Sequence, residues 1–516
     1  MDLYKESSEC RRISTPTIGV CTHDWCKAVP VIVGPPENQP PVVIWNCVDG
    51  HSPGNEQGRE ASALLGKQED TQMNPVALLK AARNIPSGTM LFMVCPNDAI
   101  LQDAGVMQAI ANLRNPFKAS QRTLYLVGNR VLKMPAFCAE DIPILYEDLP
   151  TEDELAAIVR EVHTAASKEM LEKKNIKMFD LTEEMTREVT SICRGMTAFS
   201  CEDAVARKMR RGGFRTDELR ELQRLAIEST TERGLRFETA KMTFDSIGGN
   251  EQLKKFLRAL HNGPRRPEVY VRIEEVDKIF GANASGANAD NTGTSQDQLQ
   301  QFLVNMEENR WRGMLFVGSP GSGKSLMSVC AGNTFEKRTL VCDPGALKAK
   351  ELGESERRIR LIMDILKAIG GQNVLFMATA NRLDVLPPEL QRRFNMGTWY
   401  FPLPNEKERR SIWGIQVAAN GLPDDAREKN MFDDAGWVGS DIRNCCSTAY
   451  DTGFSLTEAR QFISLAGKSA RKDIERLEEL AETSGFLNTS MPGTYVRSGK
   501  AKVSSGRKLS NLMGEG

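Results

Sequence analysis

Apolar residues fall along the chain in short runs separated by charged and turn-rich stretches. In the first third, runs at 31–33, 42–45, 90–94, 123–127 and 142–146 have the length and β-branched content of buried strands. Stretches at 74–84 and 103–112 carry helical patterns and alternate with them. This alternation predicts an α/β domain with a mostly parallel sheet over residues 1–165. Residues 166–240 are charged and helix-rich, a helical connector. The connector's signals begin at Thr151-Glu-Asp-Glu154, a helix start with an acidic first turn. Strand–helix alternation returns over 241–405. Residues 406–485 read as helical again. Residues 486–516 are rich in Gly, Ser, Lys and Arg, with Glu515 the single acid, and read as a disordered basic tail.

Composition narrows the picture without deciding it. The chain has 516 residues, room for two to four domains, with 67 basic against 68 acidic residues. A balanced charge does not point to nucleic acid, so such contacts are not expected. The basic cluster Arg207-Lys-Met-Arg-Arg-Gly-Gly-Phe-Arg215 is read as a solvated turn between helices. No apolar run is long enough to span a bilayer, and the first residues lack the apolar core of a signal peptide. No membrane association is expected. Cys95, Cys330 and Cys342 sit in apolar runs and read as small buried hydrophobes, which favours a reducing, cytoplasmic setting. Cys21-Thr-His23-Asp-Trp-Cys26 holds three zinc-ligand types, with Cys47 and His51 nearby. No second ligand pair follows at useful spacing, so free thiols are favoured.

The chemistry is concentrated in the third quarter. Met314-Leu-Phe-Val317 reads as a strand. Gly318, Ser319, Pro320, Gly321, Ser322, Gly323, Lys324 and Ser325 follow, and a helix opens at Leu326. This is a phosphate loop in its required strand–loop–helix setting. Glycines let backbone N–H groups face phosphate oxygens, Lys324 reaches the β- and γ-phosphates, and Ser325 offers a hydroxyl to Mg2+. ATP with Mg2+ is therefore the expected ligand. Gly34-Pro-Pro-Glu-Asn follows the first strand-like run but lacks Gly-Lys-Ser/Thr, so no phosphate is expected there.

Hydrolysis requires a carboxylate to position water and groups to meet Mg2+ and developing charge. Val269-Tyr-Val-Arg-Ile-Glu274-Glu275 reads as a strand ending in two carboxylates. A second strand ends at Asn381, and Arg392 and Arg393 close a later helical stretch. Taken alone, the acidic strand end and the paired arginines also fit ordinary solvated helix ends.

Together these pieces resemble the AAA+ ATPase module over residues 241–485. The resemblance implies a three-layer P-loop core with a helical lid. It makes Glu274 and Glu275 the Walker B pair, with Glu274 toward Mg2+ and Glu275 toward water. Asn381 becomes sensor 1, Arg392 and Arg393 the arginine fingers, and Arg443, in Gly439-Ser-Asp-Ile-Arg443, sensor 2. Ile247 and Gly248, in Phe244-Asp-Ser-Ile-Gly-Gly249, match the adenine-contacting entry segment, and Gly353-Glu-Ser-Glu356 the start of the second helix. Val42-Val-Ile-Trp-Asn-Cys-Val-Asp49 makes the N-terminal region similar to a subgroup of cyanobacteria, plastids and phages. Its members carry a degenerate ATPase-like domain before one active module. The resemblance implies a homo-oligomer, a hexameric ring being one form, acting on an unidentified protein substrate.

Three features depart from the family pattern. Walker B ends Glu-Glu rather than Asp-Glu. The pore-loop position reads Lys350-Glu-Leu-Gly353, without the aromatic of protein-threading members. Walker B also precedes Walker A, as if residues 267–310 had been exchanged with the block after them. The family's sheet order is 5-1-4-3-2. Building it from this chain makes each of two crossovers skip one strand position, about 5 Å more travel. Joins at 309–313 and 370–373 span roughly 13–17 Å, and the crossovers stay right-handed. The expected protein is an ATPase with rearranged strand connectivity. The alternative is a nucleotide-gated binding or scaffold protein with little turnover.

Overall fold

The apolar runs condense into two separate sheets. The computed structural model describes residues 3–497 except 23, 95–99, 102, 129–140, 282–303, 344–353, 384, 385, 387 and 466–470. Two expectations lie outside these residues: the burial of Cys95 and the pore-loop position at 350–353. His23 also lies outside them. The chain divides into two compact units. One comprises Met1–Arg236 and Gly345–Gly371, the other Phe237–Pro344 and Gln372–Gly516.

The first unit holds a six-stranded sheet, β3-β2-β4-β5-β1-β6. Its strands are β1 (Thr17–Cys21), β2 (Val42–Asn46), β3 (Gly50–Pro53), β4 (Met90–Val94), β5 (Thr123–Gly128) and β6 (Ile144–Tyr146). All neighbours run parallel except the β2–β3 hairpin. Alternate side chains leave opposite faces. Val43, Trp45, Leu91 and Met93 join one core with Leu78 and Ile110, while Val42, Phe92 and Tyr125 join another with Ala28 and Ile32.

The run at 31–33, expected as a strand, is instead the end of a helix, Trp25–Val33. Asp24 caps that helix, and its almost wholly apolar sequence hides the helical period. Gly34-Pro-Pro-Glu-Asn therefore follows a helix and not a strand. Strand β1 went unread because its five residues include a glycine. The helix read at 103–112 runs over Ala104–Ala119, through Pro116.

Thr151 starts the helix Glu152–Lys174 with a capping box to Glu154. Position 165, where the pattern predicts a domain end, falls inside this continuous helix. Three further helices pack with it around Leu155, Val189, Cys201 and Leu219. The basic cluster forms a two-residue hairpin, β7 (Met209–Arg210) with β8 (Gly213–Phe214). Its flanking Lys208 and Arg215 both pair with Glu218, at 2.8 and 2.6 Å.

The second unit holds the strands β10 (Val269–Ile273), β11 (Arg312–Gly318), β12 (Arg338–Cys342), β13 (Val374–Ala380), β14 (Thr398–Phe401) and β15 (Leu487–Asn488). They lie in the order β15-β14-β11-β13-β10-β12, with β9 (Leu235–Phe237) at the far edge, where the chain enters this unit. The described neighbour pairs from β15 to β12 are parallel. Every residue of β10, β11 and β13 is buried, as expected of parallel strands covered on both faces. Chain order and spatial order differ here. β10 precedes β11 in sequence, yet β13 lies between them. A helical part over 406–465 has its own core of Trp413, Trp437, Ile442 and Cys446.

The start of the stretch read as a disordered tail is built into this unit. β15 pairs with β14, Thr489 is fully buried, and Tyr495 packs on Tyr400 with ring centroids 4.5 Å apart. Phe486, Leu487 and Tyr495 supply the apolar contact that the Gly, Ser and Lys content of the whole stretch masks. Among the described residues no helix is long and apolar enough to cross a membrane.

Candidate functional site

The carboxyl ends of β10, β11 and β13 open on a cavity of about 460 Å³ in the second unit. β11 ends at Gly318, and the helix Lys324–Thr334 begins at Gly323. The turn between them needs a left-handed backbone at Gly321 (φ +78°) and Gly323 (φ +96°). Only glycine adopts this without strain, and a Cβ on Gly321 would also collide with Ser440 Oγ. Gly323 offers no side-chain cap, so the first N–H groups of the helix stay available and its positive dipole end faces the cavity.

Lys324 is only 7% exposed, and its Nζ donates to the carbonyls of Gly318 and Ser319, both at 2.8 Å. Burial pushes its pKa down to about 8, against the opposing pull of Asp277 and Glu275. Ser325 and Leu326 line the cavity beside it, with Pro320 and Ser322.

Glu274 and Glu275 follow β10 and line the same cavity. Glu274 accepts from Arg272, which also bonds Glu238. Glu275 pairs with Lys278 at 2.6 Å. Its backbone is left-handed (φ +52°), and its N–H donates to Thr379 Oγ1 at 3.0 Å. A left-handed glutamate is strained, and the Thr379 bond helps hold it. Asn381, just past β13, lines the cavity, as do Ile247, Gly248 and Arg443. Lys254 Nζ fixes the entry segment by donating to the Ile247 carbonyl at 2.6 Å. Gly248 lies where a Cβ would come within 2.7 Å of the Ile412 backbone nitrogen.

One cavity thus collects the phosphate loop, the paired carboxylates, Asn381, the entry segment and Arg443. Arg392 and Arg393 do not line it. They end the helix Pro388–Arg393 and face a different cavity, where Arg393 pairs with Glu307. Sequence reasoning missed several groups. Asp277 is 6% exposed. Its Oδ2 accepts the Arg382 N–H at 3.2 Å, and its Oδ1 has no partner. The legible signal was a carboxylate one apolar residue beyond the Glu pair. Glu408 and Ile412 carried no such signal, because only the fold brings their helix to the loop, and Thr379 and Ser440 lie in assigned segments where nothing singled out their side chains.

Among the described residues no three His, Cys, Asp or Glu side chains cluster as a ready-made metal site. A nucleotide-associated Mg2+ asks for less: one or two protein oxygens, with phosphates and waters completing its shell. Ser325 and Glu274 fit that role. Among the expected zinc-ligand types, Cys21 and Cys26 form no disulfide, and His51 is bonded through Nδ1 to Thr71 at 2.8 Å. Cys330 and Cys342 are buried, and burial pushes both thiols up to about 12.

No protein-family model matches the chain. It is 26% identical over 300 residues to the 26S proteasome subunit RPT4 of Saccharomyces cerevisiae. That match covers 49% of this chain and 60% of the yeast protein. It is 21% identical over 422 residues to the uncharacterized AAA domain-containing protein ycf46 of Trieres chinensis, covering 73% of each. A cell division cycle protein 48 homolog of Archaeoglobus fulgidus is 24% identical over 181 residues, 27% of this chain and 25% of its own length. The similarity supports the AAA+ ATPase family, and the parallel α/β sheets are consistent with a P-loop AAA+ fold.

Proposed function

We propose that the chain binds ATP in the cavity at Gly318–Ser325 and hydrolyses it to act on a protein partner, as an AAA+ module. The observation that carries this reading is the convergence of an uncapped glycine-started helix, Lys324, Ser325, Glu274, Glu275 and Asn381 on one cavity. Lys324 and the helix N-terminus hold the phosphates, at the positive end of the helix dipole. Glu275 polarises the attacking water and Asn381 orients it. Ser325 and Glu274 would hold Mg2+, which when bound neutralises phosphate charge. Arg443, on the helix Gly439–Thr452, reports nucleotide from a helical lid spanning 406–485.

The reading includes a homo-oligomer, a hexameric ring being one form, in which an arginine finger reaches a neighbour's nucleotide. Arg392 suits that role better than Arg393, because it is exposed and without a carboxylate partner among the described residues. The position of β10 between β13 and β12 supports the exchanged-block reading of residues 267–310. The N-terminal sheet is read as the degenerate ATPase-like domain, since residues 1–165 contain no Gly-Lys-Ser/Thr.

Glu275→Gln tests the assignment. ATP affinity should stay within about threefold while phosphate release falls roughly a hundredfold or more. Unchanged turnover would remove Glu275 from the mechanism.

The second reading, a nucleotide-gated binding or scaffold protein, has its own support. Glu274 is engaged by Arg272, and Lys324 is folded onto loop carbonyls. ATP binding without phosphate release beyond that of Lys324→Ala would favour it.

A further inference from the structure

The arginines outside the nucleotide cavity point to a second site. β11 begins at Arg312 and ends at the phosphate loop, so its two ends lie six residue steps apart, about 20 Å. At the Arg312 end a cavity of about 320 Å³ is lined by Arg265, Arg310, Arg312, Arg392 and Arg393, with Glu307 the one carboxylate among the described residues that line it. Glu307 is committed to Arg393. Among the described residues Arg265, Arg310, Arg312 and Arg392 have no carboxylate partner.

Arg312 is the informative member. It is 8% exposed, and its Nε and Nη2 are both buried without a hydrogen-bond partner. A guanidinium stays charged at any working pH, and leaving one buried without a partner is destabilising. Arg265 adds a second positive charge beside it, and burial with that repulsion lowers the Arg312 pKa. A bound anion would supply the missing acceptors and cancel the repulsion.

We propose that this cavity binds a phosphate-class oxyanion, held bidentately by Arg312 with Arg265 and Arg310 as flanking charges. Guanidinium forks match phosphoryl oxygens in pairs, and an excess of four arginine charges over one glutamate suits a ligand with more than one negative charge. Pyrophosphate is the simplest such ligand. The inference does not depend on ATP hydrolysis or on Arg392 acting across a subunit boundary.

The test is calorimetric titration of the full chain with pyrophosphate and, separately, with inorganic phosphate, at low salt. A Lys324→Ala background removes binding at the phosphate loop. One pyrophosphate per chain should bind, more tightly than phosphate. Arg312→Met and Arg265→Ala should each weaken it tenfold or more, while Arg59→Ala, on an exposed helix elsewhere, should leave it unchanged. Arg265 is exposed, so its loss does not threaten folding and keeps the test decisive if Arg312→Met misfolds. Pyrophosphate binding that is absent in the Lys324→Ala background overturns the proposal. So does binding of equal strength in both arginine variants. A size in solution that falls on Arg265→Ala with no pyrophosphate bound also overturns it, because a neighbouring copy would then fill the cavity.

Discussion

The two sheets of this protein are both mostly parallel, and three helices that follow their strands start in contrasting ways. In the first unit the helix after β1 begins at Asp24, whose carboxylate accepts the Cys26 N–H at 3.0 Å. The helix Ala104–Ala119 begins at Asp103, which accepts the Val106 N–H at 2.9 Å. In the second unit the helix after β11 begins at Gly323, which has no side chain to offer. The backbone dipole is the same in all three. Two ends are already satisfied by an internal anion, and one is left for an external anion with Lys324 beside it. Architecture supplies the positive end, and a single capping residue decides whether a ligand can use it.

The strongest way to break this comparison is Lys324→Ala. Phosphate release should fall roughly a hundredfold or more, because a main cation at the phosphates is gone. Turnover that survives in clean protein would move nucleotide handling away from this loop and reopen the first sheet. Gly321→Val comes next. It forces a left-handed valine into Ser440, so ATP affinity should drop about tenfold to a hundredfold by equilibrium binding, while circular dichroism still reports a folded chain.

A pH series sharpens the contrast further. The Lys324 pKa lies near 8 in the folded chain, below an ordinary lysine. Between these values the unfolded chain holds a proton that the folded one has released, so stability contributed by this group rises with pH across that window. Nucleotide binding needs the charged form and must take the proton back. ATP affinity should therefore weaken above pH 8, by up to about tenfold per unit, and Lys324→Arg should flatten the profile. The smallest effect belongs to the first sheet. Asp24→Ala should lower stability by about 1 kcal/mol in thermal unfolding and leave ATP turnover unchanged.

Much of this was legible before any coordinates. The loop Gly318–Ser325 is a local device, so spacing alone identifies its strand, its turn and its helix. Runs such as 90–94 and 123–127 were readable because both faces of those strands are buried. The run at 31–33 misled because a wholly apolar helix end looks like a buried strand. Tail residues 486–497 misled because a few apolar side chains were outvoted by the composition of the stretch. Asp277 and Thr379 escaped notice because each bonds a partner about a hundred residues away.

The sequence by itself determined which segment can cradle phosphate, since that depends on glycines and a lysine at fixed spacing. It also determined which strands are buried on both faces, since their runs are almost wholly apolar. Tertiary structure alone decided which carboxylates meet that loop. β10 is earlier in the chain and two strand positions away, and long-range parallel pairing with β13 brings Glu274 and Glu275 to the cavity. It also decided that Arg312 is buried within reach of the Arg265 charge, because burial and repulsion between distant residues leave no periodic mark in a sequence.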